Sequence, residues 1–110
     1  MDPYAAVDAV IARWVKATGS TLFSEWSGEP TRYFHIAGDP PHECFQVVIF
    51  PPSIGEIVVQ AAAIDTNDNS ELEMLQIWRG RPEDLDALIA DAVATVDAWK
   101  GRSKRPAPNE

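Results

Sequence analysis

His35, the triplet His42-Glu43-Cys44 and the run Asp65, Asn67, Asn69, Glu71 are the residues of this chain whose types could hold a metal ion. Imidazole, thiolate and carboxylate are the donors of zinc sites, and a structural zinc takes four of them in a tetrahedron. His42 and Cys44 form one isolated pair with no Cys-x-x-Cys or His-x-x-x-His partner, although adjacent antiparallel strands could bring His35 near Cys44. The expectation is a half-buried cysteine beside two surface-leaning histidines, without metal. The alternating oxygens that begin at Asp65 resemble the start of an EF-hand loop. Ser70, however, stands where that loop needs Gly, and Gln76 where it needs a bidentate Glu. A polar hairpin loop is expected, and no cofactor is implied.

Ser24, Ser53, His35, His42 and many carboxylates offer a nucleophile, a base and an orienting group by type alone. No Gly-x-Ser-x-Gly, His-Glu-x-x-His or glycine-rich phosphate loop fixes their geometry, so the chain reads as non-catalytic. Asp84, Asp86, Asp91 and Asp97 fall mostly on the outer side of a helix, the ordinary place for solvated charge. One polar side chain does repeat with a pattern. Gln46, Gln60 and Gln76 occur once on each of three successive strand-like runs, where their amides could form a polar band in an apolar frame.

Those runs must position the glutamines. From Phe34 to Trp78 every second residue is apolar: Phe34 and Ile36; Phe45, Val47 and Ile49; Ile57, Val59, Ala61 and Ala63; Leu75 and Ile77. That parity predicts one dry sheet face. The other parity carries Tyr33, His35, Gln46, Val48, Val58, Gln60, Met74, Gln76 and Trp78, too apolar for open water and too polar for a dry core. Strands are expected at 20–27, 31–37, 43–50, 56–64 and 72–79, separated by Gly28-Glu29-Pro30, Gly38-Asp39-Pro40-Pro41, Pro51-Pro52 with Gly55, and the polar loop 65–70. Every break is too short for a crossover helix, so the strands should form an antiparallel meander.

A first helix is expected over 3–18, with Asp2 as cap, Pro3 at the first helical position and Gly19 as stop; Val7, Val10, Ile11 and Trp14 make its apolar stripe. A second is expected from Pro82 to Lys100-Gly101, with Leu85, Leu88, Ile89, Ala92, Val96 and Trp99 on one face. Both stripes should cover the dry sheet face. The fold class is therefore α+β: a two-layer, five-stranded antiparallel meander sheet with N-terminal and C-terminal helices packed on one face. The order helix, five strands, helix is similar in architecture to small acidic secretion chaperones and toxin-neutralising immunity proteins, and no motif of the chain narrows that likeness.

At 110 residues, with 45% hydrophobic and 24% charged residues, the chain fits one domain, expected at 1–101 with a disordered tail over 102–110. A net charge of -8 repels phosphate backbones and argues against nucleic acid. No apolar run approaches membrane-spanning length and the start lacks the pattern of a secretion signal, so no membrane partner and a cytoplasmic location are expected. The single cysteine agrees with a reducing compartment. These features predict a small acidic interaction module that binds a partner protein or itself through the second sheet face. The alternative is a small-molecule binder or small enzyme with a pocket near the 51–55 loop, where Ala61 to Ala63 leave room.

Overall fold

The structure is a computed structural model that describes residues 4–38, 44–64 and 75–103. Helix α1 (Asp8–Thr18) precedes five strands, β1 (Leu22–Trp26), β2 (Glu29–Ala37), β3 (Cys44–Ile49), β4 (Ile57–Ala63) and β5 (Leu75–Gly80), and helix α2 (Leu85–Ser103) follows. The strands pair in sequence order, each antiparallel to the last, in one open sheet. This is the expected α+β architecture. Burial alternates residue by residue along β3 and β4, as a one-sided sheet requires. Phe34, Phe45, Val47, Ile49, Val59 and Ala61 are buried with Ile11, Leu85, Ile89 and Val96 from the helices. Trp99 closes the far end by stacking on Phe45, ring centroids 6.1 Å apart.

β5 reverses the expected parity. Val59 pairs with Trp78, Ala61 with Gln76 and Ile57 with Gly80, so Trp78 and Gln76 share the helix-covered face while Leu75 and Ile77 stand on the other, 50% and 46% exposed. Gly80 supplies the reason. A Cβ there would come within 3.2 Å of Leu88 Cδ1, because the first turn of α2 crosses closely over this position. Only a strand that turns Gly80 inward lets α2 approach, and a strand's period of two then carries Trp78 inward as well. Trp78 packs against the core from that position. Leu88, expected among the buried residues, is half-buried above Gly80.

The turns also differ from the sequence expectation. The first hairpin turns at Ser27-Gly28, with φ of 52° and 83°, and the strand resumes at Glu29. Two consecutive residues with positive φ form the type I′ loop whose twist suits a hairpin, so Glu29 and Pro30 belong to β2. Pro30 lacks an N–H, and its place beside the bulge between Phe23 and Glu25 is where a ladder tolerates that loss. The β3–β4 hairpin turns at Ile54-Gly55, with φ of 53° and 73°, closed by two backbone hydrogen bonds between Ser53 and Glu56 of 2.9 and 3.0 Å. A β-branched side chain in the left-handed region is a strained choice, and Ile54 is fully exposed.

α1 begins later than expected. Residues 4–7 make a turn in which Val7 and Asp8 donate their N–H groups to the Tyr4 carbonyl, while Asp2 and Pro3 lie outside the described residues. Gly19 ends the helix as expected, at φ 67° with its N–H on the Lys16 carbonyl. α2 opens through a 3₁₀ turn, Pro82–Asp84, where the Asp84 carboxylate accepts the Arg81 N–H, and it continues through Gly101 to Ser103. Gly101 does not stop it, since a helical glycine costs only about 1 kcal/mol and neither Arg102 nor Ser103 breaks a helix. The expected tail thus loses its first two residues to the helix, and 104–110 lie outside the described residues.

Two polar clasps fix α1. Tyr4 is buried and donates its hydroxyl to the Ile49 carbonyl at 2.7 Å; the Arg32 guanidinium lies 4.3 Å from the centre of its ring and donates from Nε to Asp8. Burial raises the Tyr4 phenol above its ordinary value, with the Thr31 hydroxyl and Arg32 working against it. The second clasp joins the helices: the Trp14 indole N–H and Arg13 both donate to the Asp86 carboxylate.

Three measurements follow from these contacts. Ile89→Ala, at a fully buried position, is expected to cost about 2–5 kcal/mol in a denaturant titration, and Leu88→Ala, half-buried, clearly less. Equal losses would contradict the placement of α2. Ile54→Gly or Ile54→Asn is expected to stabilise the fold by about 1 kcal/mol, because either relieves the left-handed strain at a side chain that packs on nothing. The Asp86 carboxyl is held below its ordinary value of 3.8, first by the Trp14 hydrogen bond and then by Arg13. A depressed folded value gives stability that is present above the ordinary value and lost as pH falls through the folded one. Asp86→Asn should therefore melt below the parent at neutral pH, with the gap narrowing in acid; a gap independent of pH would rule out the clasp.

Candidate functional site

With both helices on one side, no element among the described residues covers the opposite face of the sheet. Its side chains are set by cross-strand register. One row runs Phe23, Tyr33, Val48, Gln60, Ile77 across all five strands, and the next runs His35, Gln46, Ala62, Leu75. Beyond the first row, Phe50 donates its N–H to the Val58 carbonyl, and Val58 pairs with Arg79. Tyr33, His35, Gln46, Val48, Val58 and Gln60 therefore lie where the sequence puts them. Gln76 and Trp78 do not: β5's parity turns them to the covered face, and Met74 lies outside the described residues. The three-strand glutamine band shrinks to Gln46 and Gln60, diagonal neighbours on β3 and β4.

The structure adds residues that alternation alone misses. Phe23 stacks on Tyr33 at 5.0 Å with rings 14° apart, and Trp26 meets Tyr33 edge to face at 5.8 Å and 78°. His35 completes this cluster, 5.3 Å from Phe23 and 5.7 Å from Tyr33. Phe23 and Trp26 are three apart on one strand, which regular alternation would send to opposite faces. Between Phe23 and Glu25 the ladder is irregular, β1 advancing two residues while β2 advances three from Tyr33 to Pro30, and around this break both rings meet Tyr33 on the open side. The His35 Nε2 atom is buried within the cluster and has no hydrogen-bond partner among the described residues.

Between the β1–β2 hairpin and the start of the 51–55 loop lies a cleft of about 520 Å³. Trp26, Thr31 and Tyr33 line one side, Phe50 and Pro51 another, and Val48, Gln46 and Gln60 also line it. Among the described residues Glu29 is the one carboxylate on its lining, which holds no Lys, Arg or His. The cleft stands at the loop named for a pocket, but Ala61 and Ala63 are buried on the covered face and do not contribute to it. A second cleft of about 310 Å³ lies beside His35, Phe23 and the Thr18-to-Thr21 corner. The Thr18 and Ser20 hydroxyls there are 2.7 Å apart, and Thr18 also donates to the Trp14 carbonyl.

Charge is distributed unevenly. Asp8, Asp86, Asp91 and Asp97 belong to the helices and Glu83 and Asp84 to the turn before α2, whereas the rows of the open face carry Arg79, 3.4 Å from Glu56. His35 faces Gln46 and Cys44 faces Ala37, so the histidine and the half-buried cysteine are offset along their strands rather than opposed. Among the described residues no three His, Cys, Asp or Glu side chains gather as a metal site. His42, Glu43 and the oxygen-rich run that starts at Asp65 lie outside the described residues. Among the described residues, no helix is long and apolar enough to cross a membrane. No protein-family model, curated protein or solved structure matches the chain.

Proposed function

We propose that this chain is a small acidic, non-catalytic binding module that captures a partner protein through the open sheet face, centred on the cleft beside Trp26, Tyr33 and Phe50. One observation carries the reading: in a chain of net charge -8, one whole sheet face is lined with rings, aliphatic groups and amides and is almost free of charge. Apolar area of this kind supplies dispersion and dehydration to a partner, while Gln46 and Gln60 fix orientation through hydrogen bonds. Two copies could also meet here, since this is the face on which like-charged molecules repel least. Nucleic acid is disfavoured by the net charge. A cytoplasmic setting fits the single half-buried cysteine.

A second reading, a small-molecule binder, is supported by the cleft's volume of about 520 Å³, within the range that ligand sites occupy. Turnover is disfavoured because, among the described residues, the cleft's one carboxylate has no histidine or other base beside it on the lining. Gln60→Lys and Val58→Asp test the module. Both side chains point away from the helix-covered core, so circular dichroism and melting should stay close to the parent while self-association in sedimentation, or capture of a partner in pull-down, disappears. Variants that fold and keep every association of the parent would refute it, and variants that unfold would mark the face as a second core.

A further inference from the structure

We propose that the cleft on the open face is a seat for an organic cation, the ammonium or guanidinium head of a basic side chain or of a free amine. The inference rests on the binding-module reading and narrows it. Trp26 and Tyr33 stand nearly perpendicular, 78° apart with centroids at 5.8 Å, and so form a corner of two aromatic surfaces. Phe50 and Pro51 line the cleft with them. A ring face attracts a cation through its quadrupole, and a corner of rings also shelters the alkyl groups around a quaternary or side-chain nitrogen.

Glu29 decides the sign of the ligand's charge. It pairs with Trp26 across the two-residue turn, which brings their Cβ atoms about 5 Å apart on one face. Its carboxylate therefore belongs to the aromatic corner. Among the described residues it is the sole ionised group on the lining and makes no ion pair. A phosphate or carboxylate ligand would meet that charge as well as the -8 of the chain. A neutral apolar ligand would fill the corner and leave the carboxylate unused. Gln46 and Gln60 add amide oxygens, acceptors suited to the N–H groups of a primary ammonium or a guanidinium. At about 520 Å³ the cleft exceeds a single cationic head, so the stem that carries it has room too.

The test is a titration of isotope-labelled protein followed by nuclear magnetic resonance. The probes are choline, its neutral isostere 3,3-dimethylbutan-1-ol, a short peptide containing arginine and trimethyllysine, and the same peptide with norleucine at both positions. The cations are expected to move the Trp26 indole and the Gln46 and Gln60 side-chain amide resonances, with the neutral counterparts about tenfold weaker or more. Glu29→Gln should weaken cation binding about fivefold and flatten its salt dependence, and Trp26→Ala should weaken it about tenfold. Both residues are exposed, so neither change should disturb the fold. Tighter binding of the peptide than of choline assigns the seat to a basic side chain, and the reverse order assigns it to a free amine. Equal binding of neutral and cationic probes, a flat titration, or full affinity in Glu29→Gln overturns the proposal. If the titration is flat while Gln60→Lys still abolishes capture, the cation falls and the binding module stands.

Discussion

Two amphipathic helices can cover one face of a five-stranded sheet, and this chain has only two among its described residues. That limit organises the rest. The apolar parity of β2, β3 and β4 takes the covered side, where Phe34, Val47, Ile49 and Val59 lose their contact with water beneath Ile89 and Val96. Each such side chain contributes about 1.5–3 kcal/mol, so the covered face supplies most of what holds the fold. The other face is left to solvent by arithmetic rather than by composition. Its rings and aliphatic groups are a consequence of sequence choice, because no helix among the described residues packs on them there.

How α1 finds its place is a separate matter, since its buried residues are few: Ile11 within the helix and Tyr4 and Val7 before it. Polar contacts supply what area does not. Arg32 is only 12% exposed at its side chain and sits between the Tyr4 ring and the Asp8 carboxylate, so its charge is compensated on both sides. Removing one partner from such a sheltered group leaves an unpaired charge, which costs far more than the pair gains over solvent. The more exposed pairs, Arg79 with Glu56 and the half-buried Lys100 with Asp97, are worth little by comparison. α1 is thus held by a few directional contacts at its N-terminal end and by the Asp86 clasp further along, whereas α2 is held by continuous burial.

Much of this was legible in the sequence, and the failures have local causes. β3 and β4 alternate without interruption and were assigned the correct faces, and the αL glycine that ends α1 was readable from Gly19 alone. β5 was not. Leu75 and Ile77 look like core residues, and what turns them outward is the close approach of Leu88 to Gly80, a contact between elements that local pattern does not contain. The extra residue of β2 between Tyr33 and Pro30 is similarly invisible, and the ladder is irregular where Phe23 and Trp26 meet Tyr33. Among the described residues the cleft takes Pro51 alone from the 51–55 loop; Tyr33 was readable from alternation, whereas Trp26 and Glu29 depend on a turn set one residue earlier than Gly28-Glu29-Pro30 suggests.

Several features of the open side lower folded stability or solubility and repay neither inside the chain. Ile54 occupies a left-handed position that Gly or Asn would occupy with less strain, and Trp26 is 62% exposed at the rim of the cleft. Leu75 and Ile77 leave half their surface in water on β5, the edge strand among the described residues, which invites association. The imidazole of His35 keeps a buried nitrogen without a partner among the described residues. Local rules that are broken without an internal return tend to mark sites where something outside the chain supplies the return. Apart from Ile54 they converge in space: Trp26 and His35 belong to one ring cluster, and Ile77 shares a row with Tyr33 and Gln60. Scattered exceptions would suggest drift. Their concentration on the one face that the helices cannot reach supports a surface kept for recognition.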